Sequence, residues 1–162
     1  TRGVLVGKLK GGDLVVLDLV SCRDTPGAVR ELRRRTAKAD GPSVIVSVPQ
    51  DPGQAGVDQV DHIKKDMRGL ARVVAQTRSR DKTAYAKPVS EFVYSGRVWV
   101  LAAPWNIEFF RELEAFPPDS VSRRSSNATP DHDDIVDSFA DAFRLLSGPV
   151  RSGEGRGGKG WN

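Results

Sequence analysis

Cysteine, histidine and long apolar runs are scarce in this sequence, and each scarcity removes a class of function. Cys22 is the single cysteine in 162 residues, so no internal disulfide can form and no cysteine-rich zinc centre can be built. That usage suits a reducing compartment, and Cys22 reads as a small packing residue. The two histidines, His62 and His132, give no Cys/His zinc spacing and no Ser-His-Asp set. No apolar run reaches the roughly 18 residues of a membrane-spanning helix, so no membrane association is expected. A Gly-x-x-x-x-Gly-Lys-Ser/Thr loop is missing too, and ATP hydrolysis is not expected of this chain. Thr1-Arg2-Gly3-Val4 enters an apolar run at once, without the layout of a signal peptide. A chain that opens inside a strand is expected to be a fragment or an excised domain.

What is present is the composition of one globular domain. Apolar residues make up 38% and charged residues 28%, enough for a core without staples at this length. The net charge of +4 permits a nucleic-acid partner without demanding one. Basic residues cluster at Arg30, Arg33, Arg34, Arg35 and Lys38, and again at Arg78, Arg80 and Lys82.

Gly3–Leu9 and Asp13–Val20 are β-branched stretches separated by Lys10-Gly11-Gly12, a hairpin signal. Thr25-Pro26 opens a helix with a cap and a first-turn proline, and Asp40-Gly41-Pro42 ends it. Ser43–Val48 reads as a buried central strand. A helix over Ala55–Arg68, a strand over Ala71–Gln76, a helix over Lys87–Tyr94, a strand over Arg97–Leu101 and a helix over Trp105–Phe116 follow from spacing and breakers. Val121–Thr129 is polar and reads as a mobile loop, and Asp131–Ser147 as an amphipathic helix. The expected domain is 1–147, and 148–162, rich in Gly and Arg, is expected to be a disordered tail. A hairpin followed by alternating strands and helices indicates an α/β domain around a mixed sheet.

Two acidic sites stand out. Asp51 follows the central strand, and ligand groups in open α/β sheets collect beyond the carboxyl ends of strands; the same residue also suits a plain turn before Pro52. In Asp131-His132-Asp133-Asp134-Ile135-Val136-Asp137, helical rotation places Asp134, Asp137 and Asp141 on one face, opposite Val136, Phe139, Phe143 and Leu146. Such acids either favour the helix dipole and face solvent or surround a hard divalent cation, which takes oxygen ligands.

Five segments in this order resemble the C-terminal nuclease domain of tailed-phage large terminases. They are Gln50-Asp51-Pro52-Gly53-Gln54-Ala55-Gly56, Asp81-Lys82-Thr83 with Ala86-Lys87-Pro88, Gly96-Arg97-Val98 running into Pro104-Trp105-Asn106, Glu112-Leu113-Glu114-Ala115-Phe116-Pro117, and His132-Asp133-Asp134-Ile135-Val136-Asp137. The resemblance implies a ribonuclease H-like mixed sheet flanked by helices, with the family's first strand missing from this chain and its acid either outside the chain or replaced. It implies a metal-dependent endonuclease that cleaves double-stranded concatemeric DNA during genome packaging, with two Mg²⁺ or Mn²⁺ ions. Asp51, Asp134 and Asp137 match the catalytic and metal positions, with Asp133 as a further metal candidate. Lys82, Arg80 and Arg78 match a DNA-contacting stretch. Implied partners are DNA, the terminase ATPase domain, the small terminase and the portal, in the host cytoplasm at the assembling capsid. The alternative is a non-catalytic nucleic-acid-binding or docking domain of the same assembly.

Overall fold

The computed structural model describes residues 1–78, 81–116, 133–148 and 157–161. The two N-terminal stretches form strands β1 (Arg2–Lys8) and β2 (Leu14–Ser21), paired antiparallel. The glycine turn closes between them, with the Gly12 N–H donating to Leu9 O at 2.9 Å. Leu5 opposes Asp18 whereas Val6 opposes Val16, so β2 carries one extra residue. This bulge resets the alternation, and Val16 and Leu19 both become buried.

Helix α1 (Pro26–Asp40) starts as its cap chemistry requires: Thr25 Oγ1 accepts from the Ala28 N–H at 3.3 Å. Then come β3 (Val44–Pro49), α2 (Gln54–Asp66) and β4 (Arg72–Gln76). Helix α3 spans Lys82–Tyr94, not Lys87–Tyr94, because Asp81 accepts from the Ala84 N–H at 3.0 Å and caps it there. Pro88 therefore lies inside the helix and forfeits one backbone bond. Strand β5 (Val98–Val100), α4 (Asn106–Ala115) and α5 (Asp134–Ser147) complete the alternating part.

The sheet order is β4-β3-β6-β1-β2-β5, where β6 is Gly157–Trp161. Strand β1 runs antiparallel to both its neighbours, β2 and β6, while β6 is parallel to β3, β3 to β4, and β2 to β5. Two expectations change here. Residues 157–161 are not a disordered tail, and the position beside β1 is filled. The composition gives no strand signal, but an inner strand is held by main-chain bonds on both sides, which need no side-chain pattern. The segment Gly157–Trp161 contains no Asp or Glu, so this inner strand brings no carboxylate to the sheet.

Leu19 and Val20, adjacent in β2, point to opposite faces. Leu19 joins Val4, Val6, Leu14 and Val16 in a core with Tyr85, Phe109, Ile135 and Phe139 from α3, α4 and α5. Val20 packs on the second core, built from Val46 and Val48 of β3 with Ala37, Val60, Ile63 and Met67. Helices α1 and α2 thus lie on one face and α3 to α5 on the other, and both cores depend on the sheet between them.

Removing the segment after Gly148 should leave β1 and β3 each with an unpaired inner ladder. Amide exchange in β1 and β3 should then lose protection and the urea midpoint should fall, while the far ladder of β2 with β5 should change least. Unchanged protection in β1 and β3 would show that β6 contributes nothing.

Candidate active site

The carboxyl ends of β3 and β4 meet helix α5. The Gln50 N–H donates to Gln76 O at 2.9 Å, extending the β3–β4 pairing by a residue. The Gln76 side chain in turn donates Nε2–H to Asp141 O at 2.8 Å. The loop that carries Asp51 and the acidic face of α5 are therefore tied to the same sheet end.

Asp51 itself is exposed in the turn between β3 and α2. Its backbone is clamped by the neighbouring helix: a Cβ built on Gly56 would lie 2.8 Å from the Asp51 carbonyl carbon and 3.0 Å from its nitrogen. Real Cβ atoms do not approach that closely, so only glycine at position 56 lets this turn fold onto the first turn of α2. Gly53, with φ of 100°, makes the entry into α2 in a region that suits glycine.

On α5 the acids are not the solvated face that their spacing also allows. Asp137 is 7% exposed and Asp141 is fully buried. Arg78, from the loop after β4, places one guanidinium nitrogen 2.6 Å from Asp141 Oδ2 and another 3.2 Å from Asp137 Oδ2. The Tyr85 hydroxyl donates to the second oxygen of Asp141, and the Arg144 guanidinium stacks over the Tyr85 ring at 4.1 Å. Burial, reinforced by the bond to Asp141, pushes the Tyr85 phenol up, so it stays protonated and donates. Burial would lower the Arg78 guanidinium, but the bond to Asp141 and the charges of Asp141 and Asp137 override it and hold it above its ordinary value.

Lys82, at the start of α3, completes the cluster. Its Nζ lies 2.6 Å from both oxygens of Asp133, the residue that precedes α5, and 3.4 Å from Asp137 Oδ2. Burial pulls the ammonium down, but the Asp133 hydrogen bond and the charges of Asp137 and Asp133 outweigh it and raise its pKa. Burial raises the Asp137 carboxyl, against the pull of Arg78 and Lys82. One positive charge thus already sits between Asp133 and Asp137, so these two carboxylates converge on a point that a cation can occupy. Their hard oxygens are the donor type that Mg²⁺ and Mn²⁺ take. Among the described residues, no three His, Cys, Asp or Glu side chains form a group that could hold a metal ion, so Asp51, Asp134 and Asp137 are not preassembled. Asp134 Oδ2 stands 3.8 Å from the Thr1 nitrogen instead.

Of the basic stretch, Lys82 has a side chain 42% exposed and Arg78 one only 20% exposed, turned onto α5; Arg80 lies outside the described residues. An apolar cavity of about 520 Å³ between α3, α4 and α5 is lined by Ala86, Val89, Leu113, Phe116, Val136 and Phe139. Among the described residues its lining contains no carboxylate.

Glu112 of α4 is a site-building residue whose part is not legible from spacing. Its Oε1 accepts from the N–H groups of Ile135 and Val136 and so caps the first turn of α5 from another helix. Arg2 of β1 bridges it at 3.4 Å and also pairs with Glu108. The donors lie 23 and 24 residues away in sequence, beyond the reach of any local capping motif.

Two outcomes are expected. Gly56→Ala should force the Asp51 turn off α2 and cost about 1–3 kcal/mol, as overpacking does, which a urea melt measures; a neutral result would show that the turn gives way freely. The Glu112 carboxyl is pushed up to about 7, chiefly by burial and against the two N–H donors and Arg2. A raised carboxyl binds its proton better in the folded than in the unfolded chain. Its stabilisation is therefore complete below the ordinary value near 4.5 and is lost as pH rises through about 7. Urea midpoints at pH 5 and pH 8 should differ more for the native protein than for Glu112→Gln, and an equal difference would contradict the shift.

The comparison with known families agrees with this arrangement. The family described as the terminase RNaseH-like domain matches residues 15–145, which takes in β2 through nearly all of α5 and every acid described above. No curated protein and no solved structure gives a significant match. A mixed sheet between two helical layers, a match over most of the chain and acids gathered at the sheet's carboxyl end lead to one assignment: the chain belongs to the terminase RNaseH-like domain family.

Proposed function

We propose that this domain is a metal-dependent endonuclease that cleaves double-stranded DNA during phage genome packaging. The observation that carries the reading is the convergence of Asp133 and Asp137 on a single cationic nitrogen at the end of the sheet where Asp51 also emerges. Asp51, Asp134 and Asp137 are the proposed catalytic carboxylates, with Asp133 as a further metal ligand. Bound Mg²⁺ or Mn²⁺ would neutralise charge on the scissile phosphate and lower the pKa of an attacking water. Asp51, exposed on a turn that Gly56 holds rigid, would present its carboxylate toward that centre. Asp137, buried and backed by Arg78, would keep a fixed orientation. Lys82, half exposed beside the acids, would meet the DNA backbone, with Arg80 as a further contact, while Arg78, the third basic residue of the stretch, would stay on the α5 acids. The partners expected from this role are the packaging ATPase domain, the small terminase and the portal, at the assembling capsid in the host cytoplasm.

A second reading, a nucleic-acid-binding or docking domain without catalysis, is favoured by two observations. The described residues hold no three-ligand group, and β6 adds no acid.

Plasmid nicking in Mn²⁺, Mg²⁺ and EDTA separates the two. The nuclease reading expects nicking with either ion and none with EDTA. Asp51→Asn should fold and bind DNA but cleave about 100-fold more slowly or worse, equivalent to roughly 3 kcal/mol of barrier. Asn serves a turn nearly as well as Asp, so an Asp51→Asn protein that nicks at the parental rate would reduce Asp51 to a turn residue.

A further inference from the structure

The two cations beside Asp137, Arg78 and Lys82, are held very differently. Arg78 is mostly buried and grips Asp141 through two nitrogens, at 2.6 and 3.4 Å. Asp141 is fully buried, so withdrawing Arg78 would strand a charge in the core, among the costliest single losses a fold can suffer. Arg78 therefore stays in place. Lys82 is held as closely by Asp133, but neither of its partners is fully buried. Its ammonium sits where the first turns of α3 and α5 meet, at the positive ends of two helix dipoles. Its contacts are to Asp133, a side chain 19% exposed, and Asp137, and 42% of its own side chain faces solvent. Lysine is a compact charge on a flexible stem, able to change partners without moving the backbone.

Resting on the metal-site reading above, we propose that Lys82 is an exchangeable counter-ion. It closes the Asp133–Asp137 pair in the free protein and passes to a DNA phosphate when duplex arrives, which opens the two carboxylates to a divalent cation. An ammonium within 2.6 Å of Asp133 and 3.4 Å of Asp137 occupies the space that a metal ion needs, and two positive charges that close repel strongly. A DNA phosphate draws the ammonium away, and the same carboxylates then favour the metal ion. DNA and metal should consequently strengthen each other's binding by one common factor. The domain would stay closed to free cations until its substrate is in place.

The test measures Mn²⁺ binding from the paramagnetic resonance signal of the free ion, with and without a non-cleavable phosphorothioate duplex. In the native protein the duplex should tighten Mn²⁺ binding about tenfold, within the usual range of coupling between sites. Lys82→Met should bind Mn²⁺ tightly without duplex, and the duplex should then add less than about a twofold change. Lys82→Arg should keep most of the coupling, since it keeps the charge. Lys87→Met, on the exposed side of the same helix, should behave as the native protein does. Thermal melts establish that each variant is folded. If Lys82→Met retains the full duplex effect, or binds Mn²⁺ more weakly than the native protein, the counter-ion role is overturned while the metal site stands. Absence of Mn²⁺ binding in every protein, with and without duplex, overturns the metal site and the counter-ion role together.

Discussion

The buried carboxylate of Asp141 is the constraint on which the site depends. A charge that deep needs compensation, and it receives it from Arg78 after β4 and Tyr85 of α3, while the Gln76 amide donates to the Asp141 backbone carbonyl. The side-chain and main-chain bonds of this one residue together fix the end of β4, the following loop and α3 relative to α5. Asp137, one turn earlier on α5, inherits its position and its Arg78 contact from that arrangement. The geometry of the outer acids is thus set by an inner one that does not itself face solvent.

The other end of α5 is fixed by an unlike device. Glu112 reaches from α4 to the orphan N–H groups of α5, and Arg2 of β1 holds Glu112 in turn. Helix α5 is therefore pinned at its start by α4 and β1 and along its length by Arg78 and Tyr85. Asp133 and Asp134 lie at the first of those anchors and Asp137 at the second. A rigid element that offers acids at a sheet end is the kind of platform on which a catalytic or binding constellation holds its spacing.

Much of this was legible in the residues. The β-branched runs of Gly3–Leu9 and Ser43–Val48, and the Thr25-Pro26 start, report local physics, and the strands and α1 appear where that physics puts them. The acids of α5 were visible as a face but their environment was not. Spacing alone leaves the face open to solvent or to a cation and cannot show its burial, because the Arg78 guanidinium and the Tyr85 phenol that allow it lie 56 to 63 residues away. The start of α3 was obscured by Pro88, whose preference for a first turn is weaker than the Asp81 cap that sets the helix. Strand β6 was the least legible element, since Gly-Gly-Lys-Gly-Trp has neither β-branching nor alternation, and its place is decided by the two ladders it joins.

The position of β6 also orders events in time. During synthesis β1 and β2 can pair as soon as they leave the ribosome, and β3 and β4 can follow as a parallel pair with α2 over them. The two halves cannot be zipped into one sheet until the strand that lies between them has emerged, and that strand comes after every other element described here. Loop closure over such separations is slow, and unpaired inner edges stay open while it is awaited. The nascent domain therefore passes through a stage with two half-sheets and exposed ladders, when a ribosome-bound holdase would have the most to protect.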